Sequence, residues 1–125
     1  MNELDSKLRE LIAHAQLLPP KSLERQQILA SVYLLVMKSG KLWKEHTSYY
    51  NDALQEMWEY CCQHLEEYNP TTRGPIVWLD DELKKRLRRM RDANYRQKRR
   101  FLMYTQTEQG VTTHPTDNIV APGDI

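Results

Sequence analysis

Pro75-Ile76-Val77-Trp78-Leu79-Asp80-Asp81-Glu82-Leu83-Lys84-Lys85-Arg86-Leu87-Arg88-Arg89-Met90 is the stretch that decides the fold. Ile76, Leu79, Leu83, Leu87 and Met90 recur at three- and four-residue steps, the spacing of one face of a helix, and basic residues surround that stripe. The turn Asn69-Pro70-Thr71-Thr72-Arg73-Gly74-Pro75 separates it from another helical pattern, Leu54, Met57, Trp58, Cys61 and Leu65, for which Asn51 is the expected N-cap and Asp52 the dipole-complementing acid. Asp52, Glu56, Glu59, Gln63 and Glu66 fall on the opposite, acidic side of that helix.

Further back, Ile28, Leu29, Val32, Tyr33, Leu35 and Val36 form the wide apolar face of a helix that Ser22 caps and Gly40 ends. Leu4, Leu8, Leu11, Ile12 and Ala15 predict a first helix from Glu3 to Leu17, which Pro19-Pro20 stops because proline has no N–H to donate. No segment alternates with the period of a strand, so the expected fold is all-α, a compact bundle of about four helices over 1–104. From Thr105 the composition turns to Thr, Gln, Gly, Pro and Asp without periodicity, and 105–125 reads as a flexible tail or linker.

The chain has 125 residues, enough for one domain, with 40% hydrophobic and 28% charged residues, an ordinary globular composition. No apolar run approaches the ~18 residues of a membrane span, and the first residues lack the basic and apolar segments of a signal peptide. Cys61 and Cys62 are adjacent and make no disulfide framework. A soluble, cytoplasmic protein is the expectation. The net charge of +1 conceals a strong asymmetry: from Lys84 to Arg100, ten cations face the single acid Asp92, so that stretch carries +9, and the other 8 basic and 16 acidic residues leave −8. A polyanion such as nucleic acid is the partner this predicts.

Catalytic motifs are absent: there is no P-loop, no dinucleotide glycine fingerprint and no nucleophile elbow, so a non-enzymatic protein without cofactor or metal is expected. Cys61 and His64 lie three apart but supply only two ligands, and Cys61 belongs to the apolar stripe. Asp80, Asp81 and Glu82 diverge by ~100° per residue and instead complement a helix N-terminus. The cations of the fourth helix carry the stronger signal. Trp78 precedes them and Tyr95 lies among them, and aromatic rings beside cations stack on unpaired bases. Trp78 lies ~100° from Leu79, off the stripe, which predicts a ring at the edge of the core, either with part of it accessible or as a packed boundary tryptophan.

Taken in order, Asp52-Ala53-Leu54-Gln55-Glu56-Met57-Trp58, Tyr68-Asn69-Pro70, Gly74-Pro75-Ile76-Val77-Trp78-Leu79 and the arginine-rich helix resemble the second conserved region of sigma-70 family RNA polymerase sigma factors, with the nearest likeness to short sigma-like proteins of cyanobacteria. The likeness is detailed over about 48–100 and architectural before that. It implies that Asp52, Leu54, Gln55 and Glu56 bind the polymerase β′ subunit, and that Trp78, Lys84, Lys85, Arg86, Arg88, Arg89, Arg91, Tyr95 and Arg96 contact promoter −10 DNA.

Three departures qualify what is implied. Ala53 stands where the family usually has leucine, Asp80-Asp81-Glu82 puts acids where many members are basic or neutral, and no −35-reading domain follows. The alternatives are therefore a fragment of a longer sigma factor, an interaction protein that binds polymerase or an anti-sigma-type regulator without opening promoters, and a general nucleic-acid-binding bundle.

Overall fold

A computed structural model describes residues 2–109, with side chains described through Tyr104. It is all-α: α1 (Glu3–Gln16), α2 (Leu23–Ser39), α3 (Tyr50–Gln63) and α4 (Pro75–Gln109), with a 3₁₀ turn at Leu65–Glu67 and no strand among the described residues. Ser22 caps α2 by accepting from the Arg25 N–H, and Gly40 ends it in the left-handed conformation, φ 68°, that suits a residue without Cβ. Asn2 caps α1 through the Asp5 N–H.

Three boundaries differ from the expectation. α3 begins at Tyr50, one residue before the expected cap Asn51, and has no side-chain cap. Its start is fixed instead by the Tyr50 hydroxyl, which donates to the Trp43 carbonyl at 2.6 Å, and by Tyr49 and Tyr50 packing on the core. At the other end α3 stops at Gln63, so Glu66, expected on its acidic face, lies in the 3₁₀ turn. Residues 105–109, expected in the tail, continue α4; 110–125 lie outside the described residues.

The chain divides into two compact units, one through Met90 and one from Arg91. The division follows the core. Leu8, Ile12 and Ala15 of α1, Val32 and Val36 of α2, Ala53, Met57 and Cys61 of α3, and Leu79, Leu83 and Leu87 of α4 are buried together, and Met90 is the last α4 residue packed against them. In the second unit Tyr95 and Phe101 through Tyr104 are exposed.

One buried cation ties three elements of the first unit. Arg25 is 2% exposed and donates to the carbonyls of Ala15 (3.4 Å) and Leu18 (3.1 Å) and to Glu66 Oε2 (2.6 Å). Gln16 adds a second tie, donating to the Leu65 and Tyr68 carbonyls. The turn before α4 is held against α1: Arg9 donates to the Pro70 carbonyl at 2.5 Å, and a Cβ on Gly74 would meet Asp5 Oδ1 at 2.9 Å, so only glycine fits there without a shift.

Removing Arg25 would leave carbonyls and space unfilled, whereas Glu66→Gln keeps, at a position 54% exposed, an oxygen that can still accept from Arg25. Arg25→Ala is expected to lower the unfolding free energy in urea by about 3 kcal/mol, and Glu66→Gln by about 1 kcal/mol or less. Equal losses would contradict the assignment of Arg25 as the tie.

Candidate functional site

α3 presents its polar residues on two sides. Asp52, Gln55 and Glu59 are exposed, and the Gln55 amide donates to Glu59 Oε2 at 3.4 Å. Beside them an open groove between α2 and α3 is lined by Ala30, Tyr33, Leu34, Leu54, Gln55 and Trp58. Leu34 is 67% exposed in it, and Tyr33 and Trp58 meet edge to face with centroids 5.1 Å apart, an arrangement that fixes both rings. Leu54 is buried and supports this face from beneath.

Glu56 belongs to the other side. It accepts from Arg89 of α4 at 2.5 Å, so the acidic face of α3 and the cationic face of α4, expected to be separate, meet along one seam. Of the four residues matched to polymerase binding, Asp52 and Gln55 thus stand beside the groove, Leu54 lies under it and Glu56 faces α4.

The first-unit residues matched to DNA are divided in the same way. Trp78 is 6% exposed, its ring 5.0 Å from that of Tyr68, which corrects the expectation of a partly accessible ring. The reason is a second row at four-residue spacing beside the Ile76–Met90 stripe, in which Trp78 and Glu82 are buried and Arg86 is half-buried. Glu82, expected as one of three acids that complement the helix N-terminus, is buried and accepts from Arg86 (2.8 Å) and Lys85 (3.1 Å). Arg86, half-buried, also lies over the Tyr60 ring of α3 at 4.7 Å, so its guanidinium is already engaged. Lys84 pairs with Asp80 at 3.0 Å. Asp81, the remaining acid of the triplet, pairs with Arg73. Arg88 is exposed, with no ion pair among the described residues. In the second unit Arg91, Tyr95 and Arg96 are exposed; Arg91 stands 3.9 Å from Asp92, and Arg99 lies 5.9 Å over the Tyr95 ring.

Nucleophilic and metal chemistry find little support. Burial pushes the Cys61 thiol up to about 12 and the Cys62 thiol up to about 11, so both remain protonated near neutrality. No group of three or more His, Cys, Asp or Glu side chains converges on a metal-sized site among the described residues. His64 instead stacks on Tyr60, centroids 4.1 Å apart. No helix of the described residues is long and apolar enough to cross a membrane.

Sequence reasoning missed Trp43. It is 49% exposed in the loop before α3, with Lys84 5.5 Å from its ring. The signal was present in Lys41-Leu42-Trp43-Lys44, an aromatic residue among lysines, but without helical periodicity to draw attention to it. Comparison with protein-family models, curated proteins and solved structures finds no match for the chain.

The Glu82 pairing gives a pH dependence with a definite sign. Burial raises the Glu82 carboxyl, but hydrogen bonds and charge from Arg86 and Lys85 outweigh it and hold the group below its ordinary value of 4.5. A folded-state value below the unfolded one stabilises the fold above pH 4.5, and the contribution disappears as pH falls through the depressed value. Glu82→Gln should therefore be less stable than the parent at pH 7, and the gap should narrow in thermal melts as pH drops below 4.5. A gap that stays constant from pH 7 to pH 3 would refute the pairing.

Proposed function

We propose that this chain is a non-enzymatic, sigma-70 region-2-like domain that docks on RNA polymerase through α3 and attracts promoter DNA through the cations of α4. The observation that carries this reading is the exposed Asp52–Gln55–Glu59 arc beside an open groove with Leu34, Tyr33 and Trp58. Such a surface offers a partner apolar anchors at the centre and polar groups at the rim, the anatomy of a protein interface. The motif order gives Asp52 and Gln55 the same task. An anti-sigma-type regulator would compete for this face.

The DNA part of the reading rests on phosphate attraction. Arg88 is exposed, and Arg89 is held by a pair with Glu56 at the surface, which a phosphate displaces at little cost. A buried Trp78 favours the version of this reading in which that ring supports the bundle and does not capture unpaired bases.

The two contacts separate by mutation. Asp52→Lys with Gln55→Ala should weaken capture by core polymerase about tenfold or more, with helix content unchanged in circular dichroism. Arg88→Ala should leave that capture intact, weaken duplex DNA binding and flatten its salt slope by about 1. Undiminished polymerase affinity in the double variant would sink the docking assignment.

A further inference from the structure

Trp43 is an anchored aromatic, unlike a loosely held surface ring. Its backbone N–H donates to Asp80 Oδ1 at 2.7 Å, its indole N–H donates to Glu45 Oε1 at 2.8 Å, and its carbonyl accepts from the Tyr50 hydroxyl at 2.6 Å. Glu45 is itself held, accepting from the Thr47 hydroxyl at 2.8 Å. Every polar atom of the residue is thereby fixed to α3, to α4 or to its own loop, while 49% of its surface remains open to solvent. Exposing so much apolar ring gives up burial, and pinning it gives up rotamer freedom. Both losses are offset in a ring that waits, already oriented, for a flat ligand.

Charge around the ring selects the ligand. Lys84 stands 5.5 Å from the ring centroid, and Lys41 and Lys44, both exposed, flank it in the chain. The nearby acids are occupied: Asp80 holds Lys84 and the Trp43 N–H, and Glu45 holds the indole and Thr47. A flat apolar group carried on an anionic backbone satisfies both features, and an unpaired nucleotide of a single strand is such a group. We infer that Trp43 is the base-stacking platform of this domain, taking an unpaired base of single-stranded nucleic acid on its exposed face while Lys84, Lys41 and Lys44 meet the adjoining phosphates. The inference rests on the nucleic-acid part of the proposed function and is independent of polymerase docking; it puts base capture at the loop before α3, away from the buried Trp78.

Titration of the full chain with oligothymidylate, and with an abasic oligomer of equal length, tests this without polymerase. Oligothymidylate should quench the tryptophan fluorescence of the parent chain, and that quench should be lost in Trp43→Phe. Trp43→Ala should bind oligothymidylate about 5- to 150-fold more weakly, the range that base stacking on an aromatic provides, with abasic affinity unchanged. Trp43→Phe, which keeps a ring, should retain most of the affinity, a rescue that a merely structural indole would not give. Lys84→Ala should weaken both oligomers.

Oligothymidylate binding without any change in the parent's fluorescence would overturn the inference, as would equal losses on both oligomers in Trp43→Ala. If the abasic oligomer still binds with a salt-dependent affinity in that case, the nucleic-acid reading survives and only the platform falls. If neither oligomer binds the parent chain, both fall.

Discussion

The first unit depends on a guanidinium that has no access to water. Arg25 sits in the first turn of α2, where a cation is opposed by the helix dipole, and it is 2% exposed. Such a position needs acceptors for the guanidinium, and the end of α1 provides to Nη1 carbonyls that a buried helix terminus would otherwise leave unsatisfied. The carbonyls of Ala15 and Leu18 and the carboxylate of Glu66 converge there. A guanidinium is well suited, because it stays charged and presents its donors in a fixed fork. Hydrogen bonding from Arg25 also holds the Glu66 carboxyl below its ordinary range. The end of α1, the start of α2 and the 3₁₀ turn after α3 are thus joined at one point, and the direction in which the chain leaves α3 toward the turn before α4 follows from it.

The same economy governs the charges of α4. Ten cations on one stretch imply a field that seeks a polyanion, yet within the first unit Lys84, Lys85, Arg86 and Arg89 each meet an acid of the protein. These pairs are not equivalent. The Arg86–Glu82 pair is inside the bundle, at 13% and 8% exposure, and separating it would strand a charge. Arg89–Glu56 lies at the surface, where an ion pair contributes about 0–1 kcal/mol and salt screens it. Internal pairing therefore sorts the cations: Arg86 is engaged by Glu82 within α4 and by the Tyr60 ring of α3, and the exposed Arg89 remains exchangeable with phosphate.

Periodicity made the helices legible because their signals are local. Ser22 and Gly40 cap α2 as their side chains, or lack of one, require, and the apolar steps of α1, α3 and α4 name most of the buried residues. What stayed hidden depends on residues far apart in the chain. The row Trp78–Glu82–Arg86, buried at its first two members, carries two charged side chains, so it reads as surface unless their mutual pairing is known. Arg25 also reads as surface, since its partners lie 7, 10 and 41 residues away. The seam between Glu56 and Arg89 spans 33 residues and follows from packing, to which the charge pattern of either helix is blind.

The candidate site shows the same division. Asp52 is exposed as its helical phase requires and Gln55, named through the resemblance, is exposed near it, whereas the groove beside them needs α2 to be placed against α3. Trp78 and Trp43 show why residue type is a weak guide to a stacking role. A ring that takes a base must be open on one face and held at its edge, and Trp78, packed against Tyr68 in the core, has no open face. Its burial fixes the turn that leads into α4 and hence Asp80, which in turn accepts from the Trp43 backbone. The buried tryptophan thereby helps to position the exposed one: the first supplies rigidity to the start of α4, and the second spends that rigidity on an accessible ring beside Lys84.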